Sequence, residues 1–157
     1  MHAAVTVHMD AEPEAVWDVI ADVRNTPKFS PEVFESEWLD GATGPALGAT
    51  FRGHVRRNEI GPVYWTTCRV TACEPGREFG FEVLIGDKPV NNWHYDFAAA
   101  PGGGTDVTES FRMTEGLLST VFGIFGGQLR TRRNKRDMTT TLNRVKEVVE
   151  AGGLTAR

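Results

Sequence analysis

One carboxylate stands where the pattern of the sequence favours an apolar side chain. Along Thr105–Met113, strand alternation places Glu109 on the same face as Val107, Phe111 and Met113. A carboxylate in an apolar row is costly unless it is paired or protonated. Three interpretations follow: Glu109 forms a structural ion pair or hydrogen bond, it orients a ligand, or it faces the other way.

Proton-transfer chemistry has two further candidates, because Tyr95 and Tyr64 also fall on predicted inward faces. The four histidines lack the paired spacing of metal ligands. No GxSxG elbow occurs, and Cys68 has no evident base to activate its thiol. The sequence therefore predicts neither a bound metal nor a cofactor, and it leaves Glu109, Tyr95 and Tyr64 as the candidate catalytic set.

The inward faces of the predicted strands are rich in aromatic and apolar side chains, and Phe34 and Ser36 are assigned to them as well. Such side chains either fill a core or contact a ligand. The expected ligand contacts on the strands are Trp38, Phe51, Val55, Tyr64, Thr66, Cys68, Phe81, Val83, Trp93, Tyr95, Phe97, Glu109, Phe111 and Met113.

The C-terminal region supplies the other wall of the predicted site. Its apolar stripe begins only at Met138, so the first half of the helix cannot fill the sheet beneath it. Space should remain there, apolar on its walls and polar at one end, as small-molecule sites tend to be. The expected contacts on this side are Val121, Phe125, Asn134, Met138, Thr141, Leu142 and Val145.

The hydrophobic period that positions these residues changes twice along the chain. An alternating strand, Ala3–Met9, precedes a helix that starts at Pro13 and should end near Asp22, followed by a proline-limited turn or two of helix. Turn signals then divide six strands, predicted at Phe34–Leu39, Thr50–Arg57, Val63–Cys73, Phe79–Ile85, Asn92–Ala99 and Thr105–Met113. Helical spacing returns over Gln128–Ala151.

This order predicts an α+β fold in a single domain spanning residues 1–157. A curved seven-stranded antiparallel sheet should wrap on the long C-terminal helix, with two small helices after strand 1. A sheet of this size cannot be filled by its own side chains. The architecture therefore predicts a cavity between the sheet and the helix.

Composition narrows the classes of partner. The chain has 157 residues and a net charge of −4, which disfavours a surface that seeks nucleic acid. Its most apolar window, Gly116–Gly127, is too short for a membrane-spanning helix. Two cysteines without CxxC spacing fit a reduced protein, and we expect a cytoplasmic one. The oligomeric state is open.

Two segments near the C-terminal helix allow more than one interpretation. Gly116–Gly127 is either a packed short helix or a mobile lid that admits a ligand, because its glycines weaken helix formation. Arg130–Arg136 holds five cations in seven residues, which form a solvated face, meet compensating acids such as Asp137, bind a ligand carboxylate, or contact an anionic membrane transiently.

Several runs of the sequence together resemble a known superfamily. They are EAVWDVIADVRNTPKFSPEV, ESEWLDG, GATFRG, CEPGREFGFEV and NNWHYDFAAAPGGGTDVTESFRM. They resemble the polyketide cyclase/dehydrase and lipid-transport branch of the START-like (SRPBCC) superfamily over about residues 3–150. This resemblance implies a helix-grip fold with a hydrophobic cavity between the sheet and the C-terminal helix. We expect binding or carriage of a lipid, isoprenoid or polyketide-like molecule in this cavity by a non-catalytic protein, and the alternative is a cyclase/aromatase-type enzyme that uses the same cavity.

Overall fold

The fold was analysed in a computed structural model that describes residues 2–56, 61–114 and 127–152, with side chains in the last range from 131 onward. The strands are β1 (His2–Met9), β2 (Val33–Trp38), β3 (Thr50–Arg56), β4 (Val63–Glu74), β5 (Glu78–Ile85), β6 (Lys88–Ala99) and β7 (Thr105–Met113). The helices are α1 (Pro13–Ala21), a 3₁₀ helix (Val23–Lys28) and α2 (Gly127–Glu150).

All seven strands form one antiparallel sheet in the order β1-β7-β6-β5-β4-β3-β2. Strands β2 to β7 follow one another as a meander, and β1 joins the far side of β7. The edges of the sheet are therefore β1 and β2. Register shifts lie between Val33 and Glu35, between Val70 and Ala72, and between Val83 and Leu84. Each shift changes which side chains of its strand lie on the concave face.

The N-terminal helices close one end of the sheet. Pro13 opens α1, where its missing N–H leaves no hydrogen bond unmade, and Val16 and Ile20 are buried on one side. Trp17 Nε1 donates a hydrogen bond of 2.8 Å to the Glu78 carbonyl, which fixes α1 against β5. The Asp22 side chain accepts from the Arg24 N–H and caps the 3₁₀ helix.

The long helix α2 packs chiefly on β1, with smaller contacts to α1 and β7. Its predicted stripe is confirmed, since Met138, Leu142, Val145 and Val149 are all buried. Leu142, Val145 and Val149 join the larger core cluster, whereas Met138 packs in a smaller cluster with Phe111. The helix thus covers the β1–β7 side of the sheet.

The predicted fold class is confirmed, and most element bounds agree within one or two residues. The predicted first residue of β6, Asn92, was wrong. The strand begins at Lys88 because Gly86, with a φ of 62°, and Asp87 make a two-residue turn. Pro89 is accommodated where the register shifts at Leu84. Within the described residues, no helix has the length and apolar character of a membrane span.

Candidate functional site

Strands β6 and β7 place Glu109 and Tyr95 side by side. The two residues are direct cross-strand partners, and Val5 of β1 faces Glu109 on its other side. Because direct partners in an antiparallel pair share a face, the face that was assigned to Glu109 is confirmed. On the same strand, Val107 and Phe111 lie two residues to either side of Glu109 and are buried. They belong to the two separate core clusters, so Glu109 interrupts the apolar core where the clusters meet.

The Glu109 carboxyl group is almost fully buried, with 3% of the residue exposed. The Tyr95 hydroxyl donates a hydrogen bond of 2.8 Å to Glu109 Oε1. Glu109 Oε2 is buried and has no hydrogen-bond partner among the residues that the structure describes. The structural hydrogen bond that was one interpretation of this residue is present, yet it satisfies only one of the two oxygens.

Burial governs the protonation of this pair. It raises the pKa of Glu109 from 4.5 to about 8, and the Tyr95 hydrogen bond only partly opposes it. The pKa of Tyr95 is raised well above its usual value by burial and by the neighbouring carboxylate. At neutral pH the Glu109 carboxyl is therefore mainly neutral. Because Oε1 accepts from Tyr95, the proton of the neutral carboxyl lies on Oε2, the oxygen that has no hydrogen-bond partner among the described residues.

Most of the predicted contacts on the strands lie on the face that carries Glu109. Register joins Phe111, Trp93, Phe81 and Val70 in one row, next to the row of Glu109 and Tyr95. The buried members of the predicted set are Phe51, Val55, Cys68, Tyr95, Phe97, Glu109 and Phe111. The half-buried members are Trp38, Thr66, Phe81, Val83, Trp93 and Met113. Burial also raises the pKa of the Cys68 thiol to about 12, so this cysteine is a small apolar group rather than a nucleophile.

Tyr64 does not belong with the Glu109–Tyr95 pair. It is the partner of Val55 and shares its face, but 36% of Tyr64 is exposed. The residue of β4 that lies in the same row as Tyr95 is Cys73. Cys73 is nine residues from Tyr64 along β4, which corresponds to ~30 Å of strand, so Tyr64 is distant from the pair. The candidate catalytic set is therefore corrected to Glu109 and Tyr95.

The inward assignment of Phe34 was also wrong. The register shift between Val33 and Glu35 turns Phe34 outward, where 45% of it is exposed and its ring lies 4.4 Å from that of His54. Ser36 returns to the inner face as the partner of Gly53. The bulge thus removes one aromatic side chain from the concave face, whereas Ser36 lies on the face that was assigned to it.

The polar half of α2 is only partly available to a ligand. Asn134 and Thr141 are half-buried, but the Thr141 hydroxyl donates to the Asp137 carbonyl of its own helix. Met138, Leu142 and Val145 are buried as expected. Val121 and Phe125, with the proposed lid Gly116–Gly127, lie outside the described residues apart from the backbone of Gly127, and their roles stay predictions.

Acids compensate part of the basic run. Arg133 lies 3.5 Å from Glu32 and 3.7 Å from Asp137, and Arg136 lies 3.5 Å from Asp137. The acids that were expected to compensate this run are therefore Asp137 of α2 itself and Glu32 of the loop before β2. The contact of Arg130–Arg136 with an anionic membrane stays a prediction.

Polar atoms that the strand pattern did not single out also lie on the inner face. Besides Glu109 Oε2, the buried atoms without a hydrogen-bond partner include Asn91 Oδ1, Ser36 Oγ and Trp38 Nε1. The Trp38 indole lies close enough to the Asp22 carboxylate to help lower its pKa, although burial of Asp22 opposes that effect, so Trp38 is the least isolated of the four. Asn91 was not among the predicted contacts because β6 was expected to begin one residue later, at Asn92. Extending the alternation of Tyr95 and Trp93 by two residues towards the N-terminus assigns Asn91 to the inner face.

Two further features lie away from this face. An open pocket of about 390 Å³ at the β2 edge is lined by Pro27, Ser30, Pro31, Glu32, Val33, Phe34 and Arg56, none of them a predicted contact. On the outer face, His94 Nε2 lies 3.4 Å from a carboxylate oxygen of Glu78 and of Asp96, and these three residues could together ligate a metal ion. These residues come from two strands, so their spacing along the chain does not reveal the group. Glu109 belongs to neither feature.

A curved seven-stranded antiparallel sheet packed against a long C-terminal helix is the helix-grip fold. The family model described as polyketide cyclase / dehydrase and lipid transport matches residues 1–150. The chain belongs to that family, and the resemblance seen in its sequence is confirmed.

Solved structures agree on the fold. A polyketide-cyclase-like protein of Corynebacterium glutamicum is 25% identical, with 96% of this chain and 92% of that one covered and a TM-score of 0.58. An AHSA1-like protein of Aeromonas hydrophila is 22% identical, with coverages of 100% and 97% and a TM-score of 0.62. A protein of Deinococcus radiodurans is 21% identical, with coverages of 97% and 98% and a TM-score of 0.65. No curated protein matches significantly.

Proposed function

We propose that this protein binds a hydrophobic small molecule, such as a lipid, an isoprenoid or a polyketide-like compound, against the concave face of its sheet. The buried Glu109 carboxyl, with Oε2 unpartnered among apolar side chains, is the observation that carries the proposal. A buried polar atom without a partner costs about 1–3 kcal/mol, and a ligand group that bonds to it removes that cost. Glu109 is thus the polar anchor and the apolar rows beside it hold the body of the ligand.

The row of Phe111, Trp93 and Phe81 supplies the apolar contact surface next to this anchor. Trp93 and Phe81 are only half-buried and retain surface that a ligand can cover. Burying about ten methylene groups contributes ~8 kcal/mol, and association and ordering cost ~4 kcal/mol or more. The net gain of about 4 kcal/mol corresponds to a dissociation constant of about 1 mM, and the ~1–3 kcal/mol recovered at Glu109 lowers the expected constant to about 10–200 μM.

Native mass spectrometry of gently purified protein tests this proposal, before and after incubation with methyl dodecanoate. We expect a one-to-one adduct. Val83→Phe should reduce the adduct because Val83 lies half-buried on the inner face, opposite Cys68 and Asn91. Leu84→Phe is the matched control, since Leu84 pairs with the outward Thr67 and its enlargement leaves the inner face unchanged. A protein that neither carries nor takes up any apolar compound would refute the proposal.

A second candidate is a cyclase-type enzyme that acts on a poly-β-ketone at the same place. The hydrogen-bonded Tyr95–Glu109 pair favours it, because a carboxyl with a pKa near neutrality suits proton transfer. Glu109→Gln keeps the shape of the side chain and removes its acid–base function. If ring formation in a reconstituted assay is unchanged by Glu109→Gln, Glu109 has no part in such chemistry.

A further inference from the structure

The concave face carries a second polar point, at a fixed distance from Glu109. Asn91 lies on β6 with Val83 and Met113 as its cross-strand partners, and alternation puts it on the face of Trp93 and Tyr95. Within the described part of the chain, its Oδ1 is buried without a hydrogen-bond partner, as is Glu109 Oε2. Such atoms are unusual on an inner face, since nearly all buried polar atoms in proteins are hydrogen-bonded. Of the four on this face, Asn91 Oδ1 and Glu109 Oε2 lie on the paired strands β6 and β7, whereas Ser36 and Trp38 lie on the edge strand β2.

Apolar side chains separate these two points. Tyr95, which faces Glu109, is four residues from Asn91 along β6, a span of ~13 Å of strand. Between them on the same face lies Trp93, flanked by Phe111 and Phe81 on the neighbouring strands. The inner face is therefore polar at Glu109, apolar across the aromatic row, and polar again at Asn91.

We propose that the ligand of this face is a bipolar molecule, with an apolar body and a hydrogen-bonding group at each end, one bound by Glu109 and the other by Asn91. This inference rests on the proposed function. The group at Glu109 is an acceptor such as a ketone, an aldehyde or an ester carbonyl, because the Glu109 carboxyl is neutral and donates. The group at Asn91 is a hydroxyl, which both donates and accepts and so satisfies the amide in either orientation.

Two esters that differ by one hydroxyl group test the proposal. An extended chain of about ten to twelve carbons covers ~13 Å, so methyl 12-hydroxydodecanoate can reach both points and methyl dodecanoate reaches only one. The dissociation constants of both esters are measured by tryptophan fluorescence. If the terminal hydroxyl of the hydroxy ester finds no hydrogen-bond partner on the protein, the hydroxy ester binds more weakly than methyl dodecanoate, because this hydroxyl loses its hydrogen bonds to water.

The variant Asn91→Leu removes the second polar point. Its matched control is Asn92→Leu, because Asn92 is the next residue, has the same side chain and faces the outer side opposite Glu82. We expect Asn91→Leu to shift the preference between the two esters at least tenfold towards methyl dodecanoate, with Asn92→Leu leaving it unchanged. Asn91→Ala, which also removes the amide and adds no bulk, provides the same comparison if the leucine variant fails to fold.

The outcomes separate this inference from the proposed function. If wild type and Asn91→Leu show the same preference between the esters, the second polar point is not a ligand contact and the bipolar ligand is refuted, while binding itself stands. If wild type binds neither ester and carries no apolar compound, the proposed function fails and this inference fails with it. A shift in preference that appears equally in Asn92→Leu also refutes the inference.

Discussion

The buried Glu109 carboxyl should make the stability of this protein fall as the pH rises. Its pKa is raised by burial to about 8 in the folded chain, against 4.5 when exposed, so the folded state holds a proton that the unfolded state has released between these two values. In that window each pH unit lowers the free energy of unfolding by up to ~1.4 kcal/mol. The contribution is complete below pH 4.5, falls as the pH rises through the window and levels off above pH 8.

The variant Glu109→Gln isolates this contribution because its amide does not titrate. Between pH 5.5 and 7.5 the free energy of unfolding of wild type should fall by about 2 to 3 kcal/mol relative to Glu109→Gln. With a urea dependence of ~2 kcal/mol per molar, that is a relative shift of about 1 M in the unfolding midpoint. Tryptophan fluorescence follows the transition. Glu147→Gln, at an exposed position of α2, is the matched control and should run parallel to wild type.

If the curves of wild type and Glu109→Gln run parallel from pH 5.5 to 7.5, Glu109 is ionised in the folded protein. The neutral donor at Oε2, and the acceptor group expected on the ligand, would then both be wrong.

Two further substitutions test a hydrogen bond on the inner face of the sheet and a close contact on its outer face. Tyr95→Phe removes the hydrogen bond that lowers the pKa of Glu109, so this pKa should rise further and the decline in stability should extend to higher pH; an unchanged decline would contradict the role of Tyr95. Gly80→Ala should destabilise the fold by about 1–3 kcal/mol in urea unfolding, because its Cβ would lie 2.7 Å from His94 Nδ1. Gly44→Ala, where a Cβ meets nothing within 4 Å, should be near neutral, and equal effects of the two would contradict this reasoning.

Much of the fold was predictable because period and turn chemistry are local properties. Alternation placed Trp93 and Phe97 on one face and found Glu109 among apolar neighbours, and the structure agrees. The face assigned to Phe34 was wrong because a β-bulge inserts one residue there. The alternation of apolar and polar residues does not indicate where a bulge lies. Beyond the bulge, Ser36 and Trp38 lie on the inner face as predicted.

The candidate site was only partly predictable because it depends on register and distance. Face assignment grouped Tyr64 with Glu109, but pairing between strands, which the sequence does not state, separates them. The unpartnered Asn91 was missed for a related reason, since the expected β6 started beyond it. Whether a buried polar atom has a partner depends on neighbours distant in the sequence.

The central claim, that a ligand occupies the concave face beside Glu109, is tested most directly by the four tryptophan indole N–H signals in solution NMR. Trp93 and Trp38 face that side of the sheet, Trp65 stacks on His54 on the outer side, and the Trp17 indole is bonded to a backbone carbonyl. With the signals assigned by Trp→Phe variants, methyl 12-hydroxydodecanoate should shift Trp93 most, Trp38 less, and leave Trp65 and Trp17 in place. Saturable shifts confined to Trp65, or no shift at any indole, would contradict the claim.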